Sequence, residues 1–223
     1  MSIETKPNGY FGNTRPEMLD FVPKSARRIL DVGCGNGAYG AALRHTMPGA
    51  EVWGVEPDAG AQNAAAKVLD RVFAGFFDER LGLDDEQFDA IVFNDSLEHF
   101  PDHVAPLRLA HRLLRPGGSL VASIPNVRYW PHLRRYLFGG EWRYESAGIL
   151  DRTHLRFFTY RSIVRTLDET GFNLARIEGI NPCWRGVRLA VSRNLLPSSM
   201  RDVLYLQFAV TAVRRGEPAA SLP

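Results

Sequence analysis

Two histidines stand in positions where an imidazole could take part in a reaction. His99 follows an apolar run and precedes Pro101, and His154 lies three residues after Asp151 in a short polar segment. An imidazole changes charge near neutral pH, so either histidine is suited to accept a proton from a hydroxyl group. A carboxylate beside an imidazole fixes its tautomer and raises its basicity. The pattern therefore predicts His154 or His99 as a general base, with Asp151 as an orienting carboxylate.

Structural roles for the same residues remain open. His99 can simply tie its loop to a helix that begins near Pro101. Asp151 and His154 can form a hydrogen-bonded cap before a helix that begins near Tyr160.

A metal site is a further alternative. His103 lies four residues after His99, and Glu98 precedes His99, so the three side chains include ligand types used for zinc. Pro101 separates the two histidines, and no further ligands cluster around them in the sequence. We therefore predict no metal.

A glycine-rich turn with flanking carboxylates predicts a cofactor site. The stretch ILDVGCGNGAYG, residues 29–40, fits the G-x-G-x-x-G/A dinucleotide spacing in two registers, starting at Gly33 or at Gly35. Glu56 follows at about the separation expected of a carboxylate that accepts hydrogen bonds from ribose hydroxyls. Asp31 precedes the turn, where it would repel a pyrophosphate and favour a cationic ligand. NAD remains an alternative, although one short chain leaves little room for its second half and a substrate domain.

The elements around this turn alternate between strand and helix patterns, which is typical of a parallel sheet covered by helices. A single domain fits the length of 223 residues. Apolar runs predict strands, and helical patterns bounded by Pro and Gly predict helices. The predicted strands are 28–32, 51–56, 72–74, 88–94, 119–124, 174–180 and 203–213, and the predicted helices are 38–47, 58–70, 101–113 and 160–170.

The alternation breaks at residues 126–158, which we interpret as an insertion that binds the acceptor or closes over it. Its aromatic and basic run, residues 128–138, has three interpretations: a surface for sugar or phosphate, an interfacial helix on anionic lipid, or a lid in which Trp130, Leu133, Leu137 and Phe138 pack on the sheet. No long basic stripe accompanies the run, so we do not expect nucleic acid as a partner.

The charges are unevenly distributed along the chain. Residues 1–120 carry 12 basic and 17 acidic side chains, whereas residues 121–223 carry 15 arginines and 8 acidic side chains. Arginine suits bidentate contact with phosphate or carboxylate, so an anionic acceptor and a merely solvated surface are both open.

The same composition indicates a cytoplasmic protein. No apolar run approaches the roughly 20 residues of a membrane span, and no signal peptide is visible. Cys34 and Cys183 do not form a disulfide framework, and Cys34 is interpreted as a small turn residue.

Several segments together resemble the class I S-adenosylmethionine-dependent methyltransferases, over about residues 8–125. The resemblance implies a Rossmann-like three-layer α/β fold, with a mainly parallel seven-stranded sheet whose last strand is antiparallel. The matching segments, in the order and spacing of the family, are LDVGCGNG at 30–37, VEPD at 55–58, FFD at 76–78, FDAIVFNDSLEH at 88–99 and LLRPGG at 113–118.

The resemblance also implies roles for the residues near the turn. Gly33, Gly35 and Gly37 would approach the amino-acid and ribose parts of S-adenosylmethionine. Asp31 would lie near its ammonium group, and Glu56 would take the ribose hydroxyls.

Further roles follow at the other strands. Asp78 would contact the adenine amino group, and Phe77 the edge or face of the adenine. Asn94 and Asp95 would border the sulfonium.

The N-terminal segment resembles the part of the family that closes over the cofactor. It contains Tyr10 and Arg15, and Arg15 would pair with the cofactor carboxylate. An ordinary lead-in to a helix is the alternative for this segment.

The segment 148–159 resembles a subgroup associated with bacterial sugar and polysaccharide modification. We therefore predict methyl transfer from S-adenosylmethionine to a hydroxyl of a sugar or glycan, which could be anionic or lipid-linked, with peripheral membrane contact as an option. The alternatives are a small phenol, carboxylate or amine acceptor, an NAD-dependent oxidoreductase, and a cofactor-binding protein without chemistry of its own.

Overall fold

The computed structural model describes residues 12–216, and a seven-stranded sheet is its central layer. The strands are β1 Arg28–Val32, β2 Glu51–Glu56, β3 Arg71–Ala74, β4 Phe88–Asn94, β5 Leu114–Pro125, β6 Phe172–Pro182 and β7 Tyr205–Arg214. The helices are α1 Ala38–Thr46, α2 Ala59–Ala65, α3 Val104–Leu113, α4 Trp130–Gly139, α5 Tyr160–Glu169 and α6 Gly186–Leu195. Short 3-10 helices span Pro16–Phe21, Glu79–Leu81, Leu97–His99 and Ser198–Leu204.

The strand order is β3-β2-β1-β4-β5-β7-β6. β1 to β5 pair in parallel, and β7 runs antiparallel to both β5 and β6. The predicted fold class, with its antiparallel last strand, is confirmed. The order reverses between β1 and β4, and ligands of such sheets bind in the crevice outside the carboxyl ends of the strands at that point.

The core lies on both faces of the sheet. Leu30, Ile91 and Phe93 belong to one apolar cluster, and their neighbours Ile29 and Val92 belong to another. Because successive side chains of a strand point to opposite faces, β1 and β4 place apolar side chains on both faces of the sheet. This double burial holds the carboxyl ends of the two strands rigidly in place.

The inserted segment contains α4, which is more exposed than a packed lid would be. His132 is buried, whereas Leu137 is 62% exposed and Phe138 is 80% exposed. The interpretation that Leu137 and Phe138 pack on the sheet is therefore wrong. Within residues 12–216, no helix has the length and apolar character needed to cross a membrane.

Candidate functional site

The glycine turn leaves bare backbone at the carboxyl end of β1. Gly33, Gly35 and Gly37 have φ angles of 77°, 55° and 83°, a region that side-chain-bearing residues rarely adopt. A Cβ on Gly33 would lie 3.1 Å from Cβ of Ser96, and a Cβ on Gly37 would lie 2.7 Å from a methyl of Val68. Any side chain here would be strained and would collide with its neighbours. Gly33 and Gly37 therefore let the turn pack tightly against Ser96 and the residues that follow α2.

Cys34 lies inside this turn and is only 6% exposed. Burial, together with the nearby carboxyl groups of Asp31 and Glu56, raises the pKa of its thiol. Because a thiolate is the reactive form, this cysteine is not set up as a nucleophile.

Glu56 ends β2 and faces the turn. Its Oε2 accepts a hydrogen bond from the Gly35 N–H at 2.8 Å, and its Oε1 accepts one from the Asp58 N–H at 2.8 Å. Burial raises the pKa of Glu56, and the hydrogen bonds from these two N–H groups offset only part of that increase. The carboxylate is therefore fixed beside the turn, where it was predicted to meet ribose hydroxyls.

Asp31 is a buried carboxyl group close to Glu56. It is 2% exposed, and burial, followed by repulsion from Glu56, raises its pKa to about 7. Within residues 12–216, Asp31 has no ion-pair partner. A buried carboxyl that lacks a counter-charge fits the ammonium group of S-adenosylmethionine and opposes a pyrophosphate.

The raised pKa of Asp31 predicts that cofactor affinity depends on pH. The folded protein holds the Asp31 proton more tightly than the unfolded chain does, so the free energy of unfolding decreases as pH rises toward 7. Affinity for a ligand with an ammonium group should increase over the same range, because the ammonium group binds the ionised carboxylate. We expect the Kd for S-adenosylhomocysteine to fall by about tenfold between pH 6 and pH 8. Calorimetry at several pH values checks this, and Asp31→Asn should remove the dependence.

Phe77 and Asp78, the two residues predicted to meet adenine, have different surroundings. Phe77 is 3% exposed and packs edge-on against Phe93, with ring centroids 5.7 Å apart. The exposed ring in this segment is Phe76, at 49%. Asp78 accepts hydrogen bonds from the backbone and side chain of Arg80. Phe77 therefore belongs to the core, and its role toward adenine stays a prediction.

Arg15 lies in a buried network rather than at an open surface. Its guanidinium contacts the Asp95 carboxylate and donates to Oε1 of Gln207 at 3.2 Å. Gln207 and the Ser123 hydroxyl donate to Oδ1 of Asp95 at 2.5 Å and 3.0 Å. Arg15 thus neutralises Asp95, and its predicted pairing with a cofactor carboxylate stays a prediction. Sequence reasoning missed Gln207 because it comes from β7, far along the chain.

The segment after β4 forms the far wall of the crevice. Asn94 is half-buried at the strand end, and Asp95 has a left-handed backbone, with φ of 48°. The hydroxyl oxygen of Ser96 is buried and has no hydrogen-bond partner among the described residues. An unsatisfied buried hydroxyl beside the glycine turn is what a polar ligand would engage. Tyr10, predicted to close over the cofactor, lies outside the described residues.

His99 and His154 lie together at this wall. Their ring centroids are 4.9 Å apart, with planes inclined at 76°. Nδ1 of His99 is 3.0 Å from the Thr153 carbonyl oxygen, and Nδ1 of His154 is 3.0 Å from the Ile149 carbonyl oxygen. The two predicted bases are therefore in contact with each other, and a backbone carbonyl orients each ring.

The inserted segment is hydrogen-bonded to the backbone of Glu98, just after β4. The N–H groups of Leu155 and Arg156 donate to the Glu98 carbonyl at 2.9 Å and 3.1 Å. The side chain of Glu98 is fully buried, and burial, aided by the carboxyl group of Asp95, raises its pKa well above the ordinary range. The end of the insertion is thus anchored against the carboxyl end of β4.

Asp151 is held within its own loop, and its role as the orienting carboxylate of His154 stays a prediction. Its Oδ1 accepts hydrogen bonds from the Thr153 N–H at 2.8 Å and hydroxyl at 2.7 Å. The carbonyl of Ile149 takes the orienting position at Nδ1 of His154. Asp151 therefore shapes the loop that presents His154. His103 packs against Phe158 instead of joining the pair.

Comparisons with known proteins identify the family of this chain. The family model described as "Methyltransferase domain" matches residues 10–177. The chain is 36% identical over 124 residues to a ubiquinone biosynthesis O-methyltransferase of Alkalilimnicola ehrlichii, covering 50% of this chain and 49% of the relative. It is 34% identical over 116 residues to a trans-aconitate 2-methyltransferase of Methylobacterium radiotolerans, covering 51% and 45%. The chain thus spans about half the length of these curated relatives.

A solved structure supports the fold independently. A Haloferax volcanii methyltransferase, solved in complex with the Trm112 activator, has a TM-score of 0.67 at 16% identity and covers 92% of this chain and 90% of its own. Together with the family match, the glycine turn and its two flanking carboxylates, this identifies the chain as a member of the S-adenosylmethionine-dependent methyltransferase family.

Proposed function

We propose that this chain transfers a methyl group from S-adenosylmethionine to an oxygen atom of a small acceptor. The observation that carries the proposal is the pairing of His99 with His154 at the carboxyl end of β4. Ser96, close to these histidines in sequence, lies against Gly33 of the turn. This contact supports one crevice that holds both the cofactor and the imidazole pair.

The residues divide the work between holding the donor and preparing the acceptor. When bound, S-adenosylmethionine supplies a methyl group already activated on a sulfonium. Asp31 would hold its ammonium group, and Glu56 would accept hydrogen bonds from its ribose hydroxyls. His99 and His154 would position the acceptor hydroxyl and assist the loss of its proton. Asp151 would act through the loop that carries His154.

The relatives favour oxygen as the methylated atom, since one of them is named an O-methyltransferase. A sugar or glycan hydroxyl is supported by the inserted segment. Trp142 stacks edge-on with Tyr136 at 5.6 Å and with Phe157 at 5.4 Å, and its ring is 39% exposed. Exposed aromatic rings beside a polar site suit the faces of sugar rings.

Exposed apolar residues and arginines on α4 would suit an anionic or lipid-linked acceptor. Leu137 and Phe138 lie beside Arg134 and Arg135 on this helix, and all four are exposed. Such a surface favours peripheral contact with anionic lipid headgroups. A cytoplasmic location would fit this contact.

An acceptor panel tests the proposal. Methyl-labelled S-adenosylmethionine is incubated with the protein and a UDP-sugar, a methyl glycoside, 3,4-dihydroxybenzoate, trans-aconitate or a primary amine. We expect label on an oxygen of the sugar or of the phenol, located by mass spectrometry. Label on the amine alone would contradict the proposal. Tighter binding of NAD than of S-adenosylhomocysteine would favour an oxidoreductase, and binding without turnover on any substrate would favour a cofactor-binding protein without chemistry.

A further inference from the structure

Glu98 is a buried carboxyl group that meets no hydrogen-bond donor within residues 12–216. Its side chain is 0% exposed, and neither carboxyl oxygen has a hydrogen-bond partner among the described residues. Its Oε1 lies 3.7 Å from Nε2 of His154, which is too long for a hydrogen bond. An unsatisfied carboxyl group in the interior is costly, so a native protein needs a partner for it.

The two histidines carry their proton on the same ring nitrogen. A carbonyl oxygen only accepts hydrogen bonds, so the contacts of Nδ1 with Thr153 and Ile149 place a proton on Nδ1 of each ring. In a neutral imidazole the lone pair then lies on Nε2. A histidine that binds a metal through one ring nitrogen usually donates the N–H of the other to a carbonyl or carboxylate, which holds the ring in place.

The three side chains lie close enough together to offer one ligand atom each to a shared cation. One ligand atom each from Glu98, His99 and His154 lie within 4.8 Å of one another. Ligands bound at about 2.0–2.2 Å around a tetrahedral zinc ion lie roughly 3.3–3.6 Å apart. The distance of 3.7 Å between Glu98 and His154 is close to this range.

We propose that Glu98, His99 and His154 bind one divalent metal ion of the zinc class. Two imidazoles and one carboxylate form a ligand set that leaves a coordination position open for a substrate oxygen. This inference rests on the proposed function for its purpose: the open position would take the acceptor hydroxyl. In this arrangement the two imidazoles assist the loss of the proton as metal ligands and do not accept it themselves. The proton of the bound hydroxyl would pass to solvent as its pKa falls, and the O–C bond would form as the S–C bond breaks, leaving a neutral thioether.

Metal binding is tested without reference to activity. The full chain is treated with EDTA, dialysed and titrated with Co²⁺, followed by its visible d–d absorption, and with Zn²⁺, followed by elemental analysis. We expect one equivalent per chain, and at least tenfold weaker binding in Glu98→Gln, His99→Gln and His154→Gln. His103→Gln is the matched control, because it removes a neighbouring histidine outside the cluster, and it should bind as the wild type does.

A folding control keeps the result interpretable. Thermal unfolding and S-adenosylhomocysteine binding should be unchanged in at least one of the three cluster variants, and Zn²⁺ should raise the Tm of the wild type but not of that variant. Absence of stoichiometric metal in the wild type, or equal binding in the folded cluster variants, would overturn the inference. Methyl transfer by a metal-free protein would overturn it while leaving the proposed function intact. Metal binding without methyl transfer to any acceptor would overturn the proposed function and leave the metal site in place.

Discussion

Glu56→Ala should weaken binding of S-adenosylhomocysteine by at least about 100-fold, because hydrogen bonds to a charged group contribute roughly 1.5–3 kcal/mol each and two ribose hydroxyls would lose them. The substitution also removes the acceptor of the Gly35 and Asp58 N–H groups, which loosens the turn. Isothermal titration calorimetry measures the change directly.

Two variants separate this effect from general destabilisation. Glu56→Gln keeps the shape and one acceptor oxygen, so its loss of affinity should be smaller. Glu51→Ala alters the opposite end of the same strand, where the carboxylate pairs with Arg28 at the surface, and should leave binding unchanged. Normal binding by Glu56→Ala would show that the ribose is held elsewhere.

His154→Ala should reduce turnover by about 100-fold or more and leave the Kd for S-adenosylhomocysteine within about twofold, since positioned proton-transfer groups contribute roughly 10² to 10⁴ in rate. The imidazole packs against His99, so its loss removes one of the two groups proposed to assist the loss of the acceptor proton. Single-turnover rates, measured with whichever oxygen acceptor of the panel is methylated, check this.

The control for this experiment is His103→Ala, which removes an imidazole that packs on Phe158. Its turnover should stay close to that of the wild type. Unchanged turnover in His154→Ala would remove this residue from the mechanism, whereas loss of cofactor binding would assign it a structural role.

The central strands could be predicted to the residue from the sequence. The predicted and observed bounds of β1, β2 and β4 are the same. Each strand is an apolar run buried on both faces, and Gly, Pro or polar residues end it. Local sequence therefore carries the whole signal for these strands and for the cofactor turn that follows β1.

The helices were less predictable where tertiary packing decides their ends. α2 ends at Ala65 instead of continuing to residue 70. Leu69 leaves the helix to fill the space above Gly40 and Gly54, where a Cβ would collide with it. α6 was not predicted at all, because most of its side chains are exposed and its apolar residues show no clear face.

Some parts of the candidate site can likewise be predicted from the sequence, and others depend on the tertiary fold. Glu56 and the glycines follow from spacing along the chain, whereas the contact between His99 and His154 joins two distant segments. The groups that orient these rings are backbone carbonyls of Ile149 and Thr153, and a carbonyl has no signature in the sequence. His103, which the sequence offers as an alternative metal ligand, packs against Phe158 and lies outside the group of Glu98, His99 and His154.

A crystal structure with S-adenosylhomocysteine tests the shared crevice most directly. We predict ribose hydroxyls on the Glu56 carboxylate, the amino group at Asp31, and the sulfur facing His99 and His154. A ligand whose sulfur points away from the two imidazoles, or a turn at Gly33 to Gly37 that stays empty at saturating ligand, would contradict the account.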